Sequence, residues 1–448
     1  MKHCLILLII FLPPAAFAAD ESQPEQVLAT EALALAEDVG RWLATNATEQ
    51  PIGISWPDDA LNPEAVGYDL ASGVAGKVLY FVALYRATEN PSYLELALGG
   101  ADYLASTLQN IEALEANPRK ASLYTGVAGI GVALLQAQHH AGQSRYSDAI
   151  ENVISLLDKW GVHDSDGIYW SDEFNDLIYG DAGTILFLAW YAEQTGDMSA
   201  RDLARQGAKF LLAQANEAAD GSFWYFRRSK PFNLPNFSHG TAGISYVLAT
   251  VGTQTNDELL RLGAQAGFNY IKSIAEIERG LLRIPYGWGS DSWQGLYEFG
   301  WAHGLAGTTS LFVRLQQSGI DVESAAEFER LARHTLENIN LPNEPASGFA
   351  EPSTPLDLRF GRAGVLALDN TEHAELRNRI WAHISKAVVR EGQTAHWEVD
   401  APEFMGGGRA AYTGMFHGAA GIGLAILRMH AQITGRPPYV ELPDYPTK

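Results

Sequence analysis

Three of the twelve histidines in the chain stand immediately before a glycine of the form G-x-x-G: His239, His303 and His417. Imidazole transfers protons near neutral pH, and its neutral form is a good metal ligand. If these glycines open equivalent units, the three rings should line one cavity. There they could act as acid–base groups or bind a substitute metal ion. Alternatively, each ring caps a helix start or hydrogen-bonds a neighbour.

Other polar side chains occupy matching places beside the same kind of glycine. Asp176 precedes Gly180 by four residues. A buried carboxyl group with a raised pKa would suit proton transfer, but an aspartate here can also cap a helix. Asp69 stands at the same distance before Gly73, which favours the structural role. Arg359 can point into the cavity and bind a carboxylate through its forked guanidinium, or it can pair with nearby Asp357 or with another repeat.

The G-x-x-G pattern recurs seven times, at first glycines spaced 53 to 64 residues apart. Such a period indicates a repeat architecture. One residue of each repeat directly precedes the first glycine and should line the cavity; these are Ser72, Thr125, Tyr179, His239, His303, Phe360 and His417.

An apolar run follows each glycine pair, as at residues 130–135, and an amphipathic segment follows the run, as at 94–107 and 200–215. The first suits a helix buried between two layers, and the second suits a helix with one solvent face. We therefore predict an all-α fold of seven helical hairpins, which could form an open solenoid or close into an (α/α) toroid or barrel. Its fourteen helices form one domain over residues 19–435, with 436–448 as a C-terminal tail, and each inner helix starts at a G-x-x-G.

Two aromatic segments lie between repeats, where they could form platforms for sugar rings or peptides, or could pack as loops over the rim. One spans residues 224–232. The other contains Tyr286, Trp288, Trp293, Tyr297, Phe299 and Trp301, interspersed with Asp291 and Glu298.

The N-terminus has the form of an export signal. A short apolar run from Leu5 to Phe11 follows Lys2, and Ala16-Phe17-Ala18 fits a cleavage site. We predict a signal peptide over residues 1–18, a periplasmic or secreted mature chain, and no membrane insertion after cleavage. The single cysteine, Cys4, lies inside this signal. A formal net charge of −22 disfavours nucleic acid as a partner.

With these motifs, the chain resembles the lanthionine synthetase C-like family over roughly residues 29–435. The resemblance rests on the seven repeats and on three local signatures: Asp176 with Gly180, Ser238-His239-Gly240 and Trp301-Ala302-His303-Gly304. It implies a fourteen-helix toroid. It also implies a zinc ion, held by two cysteines and a histidine, that activates a peptide thiol for addition to a dehydrated serine or threonine. By motif position, Asp176 and His239 would be the acid–base groups.

The zinc ligands of the family are not retained. Their positions are occupied by Ala302, Arg359 and Phe360, and neither a methyl group, a guanidinium nor a phenyl ring binds zinc. We therefore expect no metal and no other cofactor.

Three functions remain open at this stage. The first is peptide modification or peptide binding in the central cavity without zinc. The second is a glycan-active (α/α)-barrel enzyme related to six-hairpin glycosidases, which needs two carboxyl groups beside the scissile bond. Asp176, Asp291 and Glu298 are the candidates for that pair. The third is a non-catalytic binding scaffold.

Overall fold

The computed structural model describes residues 22–141, 144–293, 295–339, 356–359, 361–368, 373–401 and 407–445. The predicted signal peptide over 1–18 lies outside these residues, as does Phe360. No helix in the described part of the chain combines the length and apolarity needed to span a membrane.

Seven inner helices each begin at the residue after the first glycine of a repeat, as predicted. Most of their residues are buried, because they pack between the centre and the outer layer. They are α2 (Val74–Thr88), α5 (Val127–Ala141), α7 (Asp181–Thr195), α9 (Thr241–Gln254), α11 (Leu305–Gln317), α13 (Arg362–Leu366) and α15 (Ala419–Ile433).

Seven outer helices surround them and bury one face each. In α6, for example, Ile150, Val153, Leu157 and Trp160 are buried at three- and four-residue spacing. The outer helices are α1 (Ser22–Thr45), α3 (Pro91–Thr107), α6 (Ser147–Trp160), α8 (Met198–Ala213), α10 (Glu258–Ile274), α12 (Val322–Glu337) and α14 (Ala374–Lys386). A short additional helix, α4 (Ile111–Glu115), lies in one connection.

The array closes into a ring, so the predicted toroid is confirmed. Each inner helix contacts the next one along the chain, and α15 contacts α2. The repeat pattern predicted an outer helix after each inner helix. For the seventh hairpin, however, the partner comes from the other end of the chain, because α1 packs against α15.

Short antiparallel hairpins occupy the connections between helices. Their strands are too brief to show alternating polarity, so the sequence did not predict them. They are β1 (Thr48–Glu49) with β2 (Ile54–Ser55), β3 (Val162–His163) with β4 (Ile168–Tyr169), β5 (Asn216–Ala218) with β6 (Gly221–Phe223), β7 (Tyr225–Arg227) with β8 (Lys230–Asn233), β9 (Glu276–Glu278) with β10 (Leu281–Arg283), β11 (Val389–Glu391) with β12 (Thr394–His396), and β13 (Val399–Asp400) with β14 (Arg409–Ala410).

The glycine pairs allow the loop before each inner helix to fold back onto the first turn of that helix. At the second glycine, an added Cβ would meet the carbonyl oxygen six residues earlier. That distance would be 1.7 Å at Gly421 and 1.9 Å at Gly243. Since any side chain would displace the loop, only glycine fits these positions.

Backbone hydrogen bonds join these loops to one another around the centre. Each bond links residues two places before the first glycines of neighbouring repeats. We call these linked residues the backbone ring. Its N–H to O=C bonds run from Ser238 to Ala302 (2.9 Å), Ala302 to Arg359 (2.7 Å), Arg359 to Phe416 (3.2 Å), Phe416 to Ala71 (2.8 Å) and Ala71 to Tyr124 (3.0 Å). The loop before α7 joins through a shifted bond, in which the Leu177 N–H donates to the Ser238 carbonyl at 3.1 Å. Together these bonds hold the loops at one end of the toroid, which we call the mouth.

Residues 436–445, which the repeat pattern left as a C-terminal tail, pack into the toroid. The Tyr124 hydroxyl donates to Asp444 Oδ2 at 2.8 Å, and the Tyr246 hydroxyl donates to the Pro443 carbonyl at 3.3 Å. Asp444 is fully buried, and burial raises its pKa to about 6.

The raised pKa of Asp444 makes stability depend on pH. The folded state holds this proton more tightly than the unfolded chain, where the pKa is near 3.9. The free energy of unfolding should therefore fall by roughly 3 kcal/mol as pH rises from about 4 to about 6. Asp444→Asn keeps an oxygen for Tyr124 but cannot ionise, so it should flatten this part of the profile in urea unfolding. The exposed Asp220→Asn should leave the profile unchanged. Identical profiles for Asp444→Asn and wild type would contradict this role.

Candidate functional site

Asp176 lies in the loop before α7, and its two carboxylate oxygens have different partners. Oδ1 accepts the backbone N–H of Tyr179 at 3.1 Å. Asp69 binds its own loop in the same way, through the N–H of Ser72 at 2.8 Å. Oδ2 of Asp176 instead faces His239 in the next repeat. Oδ1 therefore has the structural role that the sequence suggested for Asp176, and Oδ2 is placed for the functional role.

His239 and Asp176 form a buried pair across two neighbouring repeats. The distance from His239 Nδ1 to Asp176 Oδ2 is 2.6 Å. The Asp176 side chain is fully buried, and that of His239 is 7% exposed. Because both loops belong to the mouth, residues 63 positions apart in the chain become hydrogen-bond partners.

Arg359 contacts the other nitrogen of the same imidazole. Its Nη2 lies 3.2 Å from His239 Nε2. A guanidinium only donates hydrogen bonds, so Nε2 must accept this one. The ring proton of neutral His239 is then on Nδ1, which donates to Asp176. In this arrangement the pair is in its base form, with a lone pair on Nε2.

Burial controls the protonation of the pair. It raises the pKa of Asp176 to about 8, although backbone N–H groups, Arg359 and Arg119 act in the opposite direction. Burial also lowers the pKa of His239 well below its ordinary value, helped by the charges of His303, Arg359 and Arg119. The base form of the pair, in which Asp176 is a carboxylate that accepts from Nδ1, therefore predominates above this pKa of about 8.

His303 adjoins this pair at the start of α11. The centroids of the His239 and His303 rings are 5.2 Å apart, and Tyr286 packs edge-on against His303 at 4.9 Å. Nδ1 of His303 is 3.6 Å from Glu298 Oε2. Burial lowers the pKa of His303, although Glu298 partly opposes this.

Aromatic rings and a second arginine cover the opposite side of His239. Phe226 lies 4.6 Å and Tyr179 5.5 Å from the imidazole, centroid to centroid. The guanidinium carbon of Arg119 sits 3.9 Å from the centroid of the Tyr179 ring. Tyr179, Arg119 and Arg359 are all partly exposed, so the site is open to solvent at the mouth.

Two of the three predicted tryptophans lie towards the rim. Trp293 packs 5.5 Å from Tyr286 and 5.5 Å from Phe232, which continues the aromatic surface outward from His303. Trp288 is 43% exposed. Trp301 lies elsewhere: it is 3% exposed and packs in the centre against Tyr124 and Phe416.

His417 forms a separate pair instead of joining His239 and His303. Its Nδ1 lies 3.1 Å from Asp357 Oδ2, while Oδ1 of Asp357 accepts the N–H of Gly361. This repeats the geometry of Asp176 and His239 three repeat boundaries further along the chain. In the ranges that the structure describes, no three His, Cys, Asp or Glu side chains are grouped to hold a metal ion.

The side chains at the zinc-ligand positions do not fit zinc. Ala302 is fully buried, and its methyl group offers no donor atom. Arg359 is a cation that donates to His239. The third position, Phe360, lies outside the described residues.

Sequence reasoning missed Arg119 and the pairing of Asp357 with His417. No motif marks Arg119, which reaches the site from the loop before α5 by stacking on Tyr179 of the adjacent repeat. The second pair did leave a signal. Asp357 and Asp176 both stand four residues before a first glycine, and in both cases the next repeat carries a histidine directly before its own first glycine.

Comparison with known proteins agrees with this architecture. The family model described as "Lanthionine synthetase C-like protein" matches residues 64–442. No curated protein matches the chain. Nisin cyclase is similar over 94% of this chain and 96% of its own, with 15% identity and a TM-score of 0.57. An inactive variant of alpha-1,6-mannanase from Salegentibacter sp. HEL1_6, in complex with alpha-1,6-mannotriose, is similar over 91% of this chain and 99% of its own, with 13% identity and a TM-score of 0.45.

At 15% identity, the nisin cyclase structure shows a shared fold alone. The family model, by contrast, covers most of the sequence, including all seven glycine pairs. The chain therefore belongs to the lanthionine synthetase C-like family.

Proposed function

We propose that the chain binds a peptide at the mouth of the toroid and transfers protons on it with Asp176 and His239, without zinc. The observation that carries this proposal is the buried 2.6 Å contact between His239 Nδ1 and Asp176 Oδ2. A carboxylate that orients an imidazole and stabilises its protonated form is the arrangement of a general base. The predicted export signal would place this activity in the periplasm or outside the cell.

The family reaction can be written with the residues of this chain alone. On substrate binding the Arg359 guanidinium turns from His239 Nε2 to the substrate carbonyl, and Nε2 then removes the S–H proton of a peptide cysteine. The sulfur bonds to Cβ of a dehydrated serine or threonine. The C=C electron pair moves towards the carbonyl as an enolate. The imidazolium then returns its proton to Cα, so the step balances without an added reactant. Asp176 stabilises the imidazolium, and Arg359 is placed to stabilise the enolate oxygen.

A glycan-active enzyme is a second candidate, supported by the aromatic surface at the rim. Trp293, Tyr286 and Phe232 are in contact, and Trp288 is exposed, which suits stacking against sugar rings. The chemistry has less support, because two of the three candidate carboxyl groups already have partners, and the third, Asp291, is exposed on the surface beside Trp293. Glu298 lies beside His303, and Asp176 is bonded to His239.

Replacing either member of the pair should abolish most of the thiol addition. His239→Ala and Asp176→Asn should each lower its rate by about 100-fold or more, since the base or its orientation is lost. The assay uses a peptide with one cysteine and one dehydroalanine, and alkylation with iodoacetamide followed by mass spectrometry counts the remaining thiol. The exposed His163→Ala is the matched control. A peptide that binds but is cyclised no faster than without protein would indicate a scaffold.

Metal analysis tests the zinc-free part of the proposal. After mild dialysis, elemental analysis of the purified mature chain should find well under one zinc or other transition metal per molecule, because Ala302 and Arg359 cannot replace thiolate ligands. Near-stoichiometric metal would overturn this part. The alanine variants of His239, His303 and His417 would then identify the ligands.

The glycan candidate makes its own prediction at Trp288. If sugars stack on the rim, an array of oligosaccharides should show binding to the wild type that Trp288→Ala weakens, because one stacking surface is removed. Leu259→Ala, which removes an exposed apolar side chain of α10, serves as the control. An array without any bound oligosaccharide would remove this candidate.

A further inference from the structure

Two guanidinium groups flank His239, although the chain as a whole is strongly acidic. Arg359 contacts Nε2 of the imidazole directly. Arg119 reaches the site through Tyr179, whose ring packs against His239. Both charges act on Asp176 as well as on His239. The two cations therefore share one small region of the mouth.

The acidic side chains around this region have other partners. Glu298 lies beside His303, and Asp357 beside His417. Glu173 pairs with Arg227 at 3.0 Å. Among the described residues, no carboxylate lies within ion-pair distance of Arg119. Its guanidinium instead stacks on Tyr179 and is partly exposed.

A positive region of this kind attracts an anion. With a net charge of −22, most of the surface repels negative ligands, so local cations are needed to bring one to the mouth. Guanidinium groups match carboxylates through two parallel N–H···O bonds, and aromatic surroundings strengthen the pairing by excluding water.

We propose that Arg359 and Arg119 bind a carboxylate of the peptide substrate next to His239. This inference rests on the proposed function and names the chemistry of its substrate. Since Arg359 already touches Nε2, a carboxylate on the same guanidinium lies beside the base. The bond that reacts is then close to the carboxylate. This carboxylate is either the free C-terminus of the peptide or one of its acidic side chains.

The test compares peptides that differ only in this charge. Immobilised mature chain is incubated with tetrapeptides lacking Asp and Glu, made as free acids and as C-terminal amides. A third pool contains amides with one Glu. Mass spectrometry quantifies the retained peptides. One good charge-assisted pair should favour the acidic pool by about tenfold or more. Preference for the free acids indicates the C-terminal carboxylate, and preference for the amides with one Glu indicates a side-chain carboxylate.

Variants then locate the binding group. Arg359→Gln and Arg119→Gln should each reduce the preference for acids to near unity, while retention of the amides stays the same. Arg145→Gln, at an exposed pair with Asp102 on the outside of the toroid, should keep the wild-type preference. Thermal unfolding checks that the variants remain folded. As a readout on the wild type, the ¹⁵N shift of His239 Nε2 should move when a free-acid peptide is added.

The outcomes separate this inference from the proposed function. Equal retention of acids and amides would overturn the carboxylate site but leave peptide binding intact. Retention of a hexuronate-containing oligosaccharide through Arg359, with no peptide retained, would overturn both the peptide substrate and the proposed function. If neither peptides nor that oligosaccharide were retained, both proposals would fail.

Discussion

The close approach of backbone to backbone at the mouth is the constraint on which the rest of the structure depends. The loops before the inner helices can hydrogen-bond to one another only because they fold tightly onto their own helices. Glycine is required there, since a Cβ at Gly421 would stand 1.7 Å from a carbonyl oxygen. The resulting backbone ring fixes the height of each loop, and with it the side chains that face the centre.

This arrangement explains how the site is built from unrelated parts of the sequence. An aspartate uses one oxygen to shape its own loop and has the second available for a neighbouring repeat. The histidine that meets it stands directly before the next glycine pair. The same construction occurs at Asp357 and His417. What distinguishes the first pair is its setting, with full burial, two adjacent arginines and stacked aromatic rings.

The sequence predicted the repeating features of the molecule and its toroidal fold, but not which side chains meet across the repeats. The seven glycine pairs marked every inner helix start, because their spacing is regular and their steric cause is local. The sequence left open whether Arg359 faces the cavity or pairs with Asp357 or another repeat, and the structure places it against His239, 120 residues away. Trp301 was predicted to bind ligand together with Trp288, but it packs in the centre. Such choices depend on which loops meet across the ring, and no local pattern records that.

The pairing of α1 with α15 has a consequence for how the chain acquires its structure. In an open array of repeats, hairpins can form one after another and each gains stability from its neighbour alone. Here the last inner helix lacks its outer layer until the most distant segment of the chain returns to cover it. Covering the apolar surface of α15 therefore needs a contact between distant segments of the chain, whereas every other inner helix is covered by the helix that follows it.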